Sequence, residues 1–252
     1  MRVGLVLLFL VAYFSAKTQI LNFEKFRPNV DTSNIWKSSF SAGFDLKKKA
    51  IRSLDLRSQM GTYYISEKHS YFLLGDIGLT RVDNENIFQQ GYLHYRTVLN
   101  RRKKIAYEPF IQFQYDLGKG LKRRHLFGGN IRINFYNDST ISLSMGTGAF
   151  YENENWVDTD ENTFLNSNFK SNNYISVNWI INEWANFFLT SYYQAPFDNF
   201  LSPRLILESN LQMKFTENFA YDVRFETNVD RTPVVEAGRL TYLLSSGFRY
   251  SF

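Results

Sequence analysis

The sequence contains no cysteine, so if the chain is exported it has no disulfides to staple it and depends on hydrogen bonding and packing. Proline is scarce, five in 252 residues, which leaves long stretches free to donate to uninterrupted ladders. Long apolar runs are missing as well. Nowhere do about eighteen apolar residues follow one another, so no segment has the makeup of a membrane-spanning helix. Histidine is limited to His69, His94 and His125, with no HxH or HExxH pair, so no metal site is expected. Neither sign of charge dominates: 29 Lys and Arg stand against 24 Asp and Glu. The basic runs at 47–49, 101–104 and 122–124 fall at candidate turns or strand ends. They read as solvated loop charge, and no nucleic-acid partner is expected.

What the chain does have is aromatic content. Phe, Trp and Tyr make up 17%, with 24 Phe and 16 Tyr, yet the mean hydropathy is negative. Strands with an apolar face and a polar face combine these two properties, whereas a helical membrane protein does not. The longest apolar run, Val3–Phe14, follows Arg2 and precedes Ser15 and Ala16. A charged start, a short apolar stretch and a small-residue exit describe a secretory signal peptide. The expected layout is a signal peptide over 1–19, cleaved near 16–19, a periplasmic segment over 20–34 and a barrel over 35–252.

From about residue 35 onward the dominant period is two, the signature of strands with one face apolar and one face wet. The last segment places Leu240, Tyr242, Leu244, Ser246, Phe248, Tyr250 and Phe252 on one face. Thr241, Leu243, Ser245, Gly247, Arg249 and Ser251 alternate with them. Repeating this reading predicts strands near 37–47, 51–64, 70–80, 88–99, 105–117, 122–136, 140–154, 170–181, 184–195, 204–215, 219–229 and 239–252. Twelve is an even number, as single-chain outer-membrane barrels require. The fold class is therefore all-β, an antiparallel up-and-down transmembrane β-barrel of the outer-membrane type with about twelve strands. Short periplasmic turns and longer outer loops should alternate, with a long acidic loop around 155–169 and a short LGKG turn at 117–120 as the exception. Phe252, closing an alternating aromatic face, is read as the assembly signal of such barrels.

The segments FIQFQYD (110–116), RRHLFGGNIRINF (123–135) and SLSMGTGAFYENE (142–154) resemble domain-of-unknown-function family 481. The shared features are the aromatic–Gln–aromatic–Gln–Tyr strand, the Arg124, Leu126, Gly128, Gly129, Arg132 pattern, and a Gly-rich strand ending in YENE. That family includes proteins named for salt induction at the outer membrane. The resemblance implies a β-barrel in the bacterial outer membrane and implies no reaction.

No catalytic constellation emerges. His94 shares a row with Tyr92 and Arg96, His125 lies on the opposite row to Arg124, and neither carries a flanking serine motif. No enzyme activity and no cofactor are expected. The informative feature is the polar row, whose charged members include Asp45, Asp55, Arg57, Asp76, Arg96, Glu108, Asp116, Arg132, Glu152, Glu208, Arg224, Glu226 and Arg249. A lining of both signs suits ion pairs across a lumen as well as a narrow wet channel. The leading reading is a passive channel for small polar solutes or ions. The second is a non-conducting structural or adhesive barrel acting through its outer loops, and the third is a lipid-modifying enzyme. DTDEN (158–162) lacks the spacing of a calcium loop. Expected partners are outer-membrane lipid and lipopolysaccharide, with the barrel-assembly machinery during biogenesis; the oligomeric state is left open.

Overall fold

The computed structural model describes residues 34–48, 52–82, 85–234 and 239–252. The signal peptide expected at 1–19, and all but the last residue of the segment 20–34, lie outside the described residues. Twelve strands follow in chain order: β1 (Ile35–Lys48), β2 (Arg52–Ile65), β3 (Ser70–Val82), β4 (Glu85–Val98), β5 (Ile105–Asp116) and β6 (Leu121–Asn137). The rest are β7 (Ile141–Val157), β8 (Thr163–Asn182), β9 (Ala185–Pro196), β10 (Arg204–Lys214), β11 (Phe219–Asp230) and β12 (Leu240–Ser251). Each is antiparallel to its chain neighbours, and β12 returns to β1, closing the barrel. Residue 35 and Phe252 lie at one rim, here the terminal end; the opposite rim is the distal end. At the terminal end Ser38 and Phe252 exchange two backbone hydrogen bonds of 2.9 Å.

The strands are amphipathic in the sense opposite to that of a soluble protein. Along β5, Ile105, Tyr107, Ile111, Phe113 and Tyr115 are exposed, while Ala106, Glu108, Phe110, Gln112, Gln114 and Asp116 between them are buried. Along β12, Leu240, Tyr242, Leu244, Phe248 and Tyr250 face out. A continuous apolar exterior over paired strands with the polar row inside is stable only in a lipid bilayer, where closure also satisfies the backbone. The chain is thus a transmembrane barrel of the outer-membrane type. Aromatic rings cluster at both margins of the apolar band. Trp36, Tyr64 and Tyr71 neighbour one another at the terminal end, with centroids 6.0 and 6.2 Å apart. Tyr151 and Phe169 do so towards the distal end at 5.1 Å. Such girdles seat at the interfacial level of the membrane.

The expected loop pattern is corrected in two places. First, the stretch 155–169 is mostly ladder. β7 runs to Val157, β8 starts at Thr163, and only 158–162 turns. Above the apolar band both faces are wet, so period-two hydrophobicity disappears, and amide and hydroxyl pairs take over cross-strand support. Asn153 donates to Ser167 Oγ (2.7 Å), and Asn166 donates to Glu154 Oε2 (3.0 Å). Second, β1 ends at Lys48 and β2 begins at Arg52, and β3 extends to Val82 and β4 begins at Glu85, so the first two distal connections are shorter than the terminal ones at 66–69 and 99–104. The alternation of short and long connections therefore fails for β1–β4, and the LGKG turn is no exception there. Longer distal connections appear only at 197–203 and 231–239.

Asp158 organises the β7–β8 turn: its carboxylate accepts from the backbone N–H of Asp160 and of Asn162 (2.9 Å each) and from Asn162 Nδ2 (3.1 Å). These donors, Asn162 first, hold its carboxyl below the ordinary aspartate range. A depressed folded-state value contributes stability that is present above the unfolded value of about 4 and is lost as pH falls through the folded value. Asp158→Ala should therefore speed amide hydrogen exchange at Asp160 and Asn162. Acidifying the wild-type protein below pH of about 4 should reproduce that effect, and acid should change nothing further in the variant.

Candidate functional site: the filled lumen

The inward row does not bound an empty bore. Side chains from several strands meet inside the barrel in three groups. The first centres on Glu108 of β5. Arg96 of β4 lies 3.6 Å from Oε2, and Arg132 of β6 donates to Oε1 at 3.2 Å. The Tyr174 hydroxyl of β8 donates to Oε2 across three strand positions. Arg132 also donates to Ser144 Oγ and to Asn134 Oδ1 (2.9 Å). Arg96, Glu108 and Arg132 are each 0% exposed.

The second group is apolar: Phe110, Leu126, Phe150, Tyr174, Tyr192 and Ile206 pack together inside the barrel, all buried. Arg96 lies 5.1 Å over the Phe110 ring, and His94 stacks on it at 5.8 Å while its Nδ1 meets Gln112 Oε1 at 2.8 Å.

The third group, distal to the aromatic layer, centres on Glu152. Arg124, Lys170 and Arg204 all pair with it, the last at 2.9 Å. Glu154 takes Arg124 at 3.1 Å, and Asp230 takes Arg204 at 2.9 Å. Arg204 on β10 reaches Glu152 on β7, so this pair crosses the interior.

The remaining polar row lies mainly on β10–β12 and β1–β3, with Tyr92 of β4 and Asp116 of β5. Arg249 pairs with Asp222 (Nε at 2.7 Å), and Arg224 donates across the interior to Gln59 Oε1 and lies 3.5 Å from Glu226. Gln59 in turn donates to Tyr92 Oη (3.1 Å) and Asp76 (3.5 Å). Glu208 is buried, Asp116 pairs with Lys119 at 3.6 Å, and Asp55 accepts from Thr80 at 2.8 Å. Arg57 faces inward and is half-buried. Asp45 lies opposite Asp55 in the β1–β2 ladder; its side chain is outside the described residues.

The structure therefore brings Arg96, Glu108 and Arg132 into one cluster, places Arg224, Glu226 and Asp76 around Gln59, and makes Glu152 the hub of another. Three of Glu152's neighbours, Lys170, Arg204 and Glu154, and the whole aromatic layer are not evident from sequence reasoning. Phe110, Leu126 and Phe150 were detectable as apolar intruders on the wet parity of β5, β6 and β7. A wall residue that borders a water-filled pore keeps accessible surface. Here Arg96, Glu108, Gln112, Arg132, Glu152 and Asn172 keep none, so described side chains pack over this part of the wall. Buried charges of this kind are stable only because each has opposite charge and hydrogen bonds close by.

The histidines separate. His69 lies at the β2–β3 turn, His94 inside the barrel, and His125 outside, edge-on to Phe113 at 5.2 Å. Among the described residues neither the His94 nor the His125 ring is hydrogen-bonded to a serine hydroxyl. No group of three or more metal-ligating side chains occurs among them either. Phe252 is exposed on the outer face and stacks on Tyr250 at 6.1 Å.

The shape resembles several solved barrels at very low sequence identity. A KdgM porin in complex with disordered oligogalacturonate is 10% identical, with 86% of this chain and 99% of that one covered and a TM-score of 0.48. The NanC porin is 8% identical, with 85% and 97% covered and a TM-score of 0.48. The translocator domain of the autotransporter NalP from Neisseria meningitidis is 8% identical, with 86% of each chain covered and a TM-score of 0.47. None of the curated proteins compared matches the chain in sequence. A family model described as "Protein of unknown function, DUF481" matches residues 29–252, nearly the whole sequence, and the chain belongs to that family.

Proposed function

We propose that the protein is a bacterial outer-membrane barrel that its own side chains hold shut, and that it acts from its distal, outward end. The observation that carries this reading is the complete burial of Arg96, Glu108, Arg132 and Glu152 on β4–β7, with Tyr174 of β8 and Arg204 of β10 reaching in to Glu108 and Glu152. A passive pore needs a continuous wet path, and the Glu108 and Glu152 clusters with the aromatic layer between them occupy the interior beside β4–β10. The geometry thus favours a structural or adhesive barrel over a permanently open channel, and among the described residues neither the His94 nor the His125 ring is hydrogen-bonded to a serine hydroxyl. Export by the leader, assembly through Phe252, and surroundings of phospholipid and lipopolysaccharide complete the proposal. At the distal end Leu165, Phe197 and Leu201 are more than half exposed (72%, 60% and 80%) and offer an apolar contact surface beside the β7–β8 turn.

The absence of cysteine makes a clean test available. Ser176 is buried in the bore, hydrogen-bonded to Thr190 at 3.0 Å, whereas Asn168 is half-buried nearer the distal rim. A charged thiol reagent should label Asn168→Cys in the folded protein and leave Ser176→Cys unmodified until the barrel is unfolded. Rapid labelling of both would show a wet bore. One observation favours the channel reading: among the described residues, a Cβ added at Gly43 would meet no atom within 4 Å.

A further inference from the structure

The outer wall near the distal rim carries cations that no carboxylate answers. Strands β5 to β8 form this part of the wall and are described throughout. Two residues of β6 oppose one of β7 where the register passes from Leu121↔Trp156 to Arg123↔Asn155. A bulge of this kind re-aims side chains at the end of a ladder. Here Lys122 and Arg123 are both exposed, while Leu121 and Arg124 on either side are buried. Neither Lys122 nor Arg123 forms an ion pair or a side-chain hydrogen bond with another described residue. The strand carboxylates of this region face the other way, since Asp116, Glu152 and Glu154 are buried in the lumen. His125, two positions on, is exposed on the outer face as well, edge-on to Phe113.

The ladder fixes the height of these groups. Phe127 lies opposite Tyr151 of the distal aromatic girdle, His125 opposite Asn153, and Arg123 opposite Asn155. With a rise of about 3.3 Å per residue and a tilt of about 40°, His125 and Arg123 stand roughly 5 and 10 Å beyond the girdle. The polar headgroup layer is about 5–8 Å deep on each side of a bilayer, and a long basic side chain can reach back into it from just beyond. Below the cations the wall is apolar: Phe113 and Phe127 are 45% and 69% exposed. The next outward level down is small-chained, with Pro109, Gly129 and Ala149 in register. Beside the cations runs an amide and hydroxyl row, in which Asn153 donates to Ser167 at 2.7 Å. Asn155 Oδ1 is shielded from solvent and has no hydrogen-bond partner among the described residues.

We infer that this outer face of β5–β8 binds a phosphorylated acyl-sugar lipid of the outer leaflet. Its phosphate rests on Arg123 and Lys122, a sugar hydroxyl donates to Asn155 Oδ1, and its acyl chains run down the wall over Phe127 and Gly129. A guanidinium takes a phosphate bidentately, and a lysine beside it adds a second charge. The cations and amides together span two strands and two heights, a footprint wider than the single phosphate of a diacylglycerol lipid. A free anion would leave the apolar wall below it unused. The inference rests on the proposed outward orientation of the distal end and stands whether or not the lumen conducts.

The test titrates the full chain, in micelles of a neutral detergent, with diphosphoryl lipid A or with phosphatidylglycerol, and counts one-to-one adducts by native mass spectrometry. Lipid A should bind at a concentration lower than phosphatidylglycerol by at least about fivefold, the strength of one further basic contact. Arg123→Gln and Lys122→Gln should each weaken lipid A binding by about fivefold, and Arg123→Lys by less. Arg102→Gln removes an equally exposed cation at the terminal rim and should change nothing. Each variant is checked for the gel shift of a folded barrel. Excess inorganic phosphate should leave the lipid A adduct in place. Equal affinity for the two lipids overturns the acyl-sugar assignment, and displacement by phosphate overturns a lipid as the ligand. Equal loss in Arg102→Gln and Arg123→Gln overturns the site in favour of diffuse charge. Both ends of the barrel meet the lipid in micelles, so a conducting lumen or a reversed orientation would leave these results unchanged.

Discussion

Glu152→Ala should lower the stability of the folded barrel by about 3–5 kcal/mol, the usual consequence of stranding buried charge. Glu152 is 0% exposed and is the shared counter-ion of Arg124, Lys170 and Arg204. Its removal leaves three cations with Glu154 and Asp230 alone, in a space that side chains already fill. The methyl group cannot replace the lost acceptors, and water has no room to do so unless the bore loosens. Glu152→Gln keeps the shape and one acceptor oxygen, so it should fall between wild type and alanine. Adding Lys170→Met to Glu152→Ala should recover part of the loss, because one uncompensated charge goes with it. Urea titration of the protein in micelles, followed by the gel shift between folded and unfolded barrels, reads all four. A loss below about 1 kcal/mol for the alanine variant would mean that the cluster is solvated and the bore wet.

Gly148→Ala should be nearly as damaging for a different reason. Gly148 points into the barrel from β7 opposite Asn130 of β6. An added Cβ would lie 2.0 Å from the backbone oxygen of Gly129 and 2.6 Å from Asn130 Oδ1. The obstacle is main chain, which can yield only by shifting the β6–β7 ladder, so the cost should reach about 3 kcal/mol, at the upper end for overpacking. The assembled fraction in membranes should drop with it. Gly43→Ala is the matched control, since the same methyl enters open space. It should change stability by no more than about 0.5 kcal/mol. Similar losses for both would show that these glycines matter for strand propensity and not for the lopsided filling of the bore.

The contrast between those two glycines marks where sequence reasoning stops. Alternation along 105–116 or 240–252 is a local property, visible because one face meets lipid and the other does not. It was enough to find all twelve strands and to set Glu108, Arg132 and Glu152 on one parity. Where the membrane ends, the rule that makes alternation visible ends too, which is why 163–169 reads as loop and is ladder. Cross-lumen partners were out of reach for another reason. Arg204 meets Glu152 because strand tilt brings β10 and β7 to a common level, and that stagger is set by the whole pairing register. The sequence placed both signs inside without saying that Phe110, Leu126 and Phe150 would seal the space between two charge clusters. The β1–β12 seam was equally invisible, because pairing between the two ends of the chain has no local signature.

Conductance of the reconstituted wild-type protein in planar lipid bilayers tests the closed lumen most directly. With Glu108 and Glu152 each locked to arginines from other strands and an aromatic layer between them, the traces should stay at the lipid baseline across voltages of both signs and across salt concentrations. Regular, stepwise openings of the wild-type protein at low voltage would contradict the filled bore and return the protein to the class of passive channels.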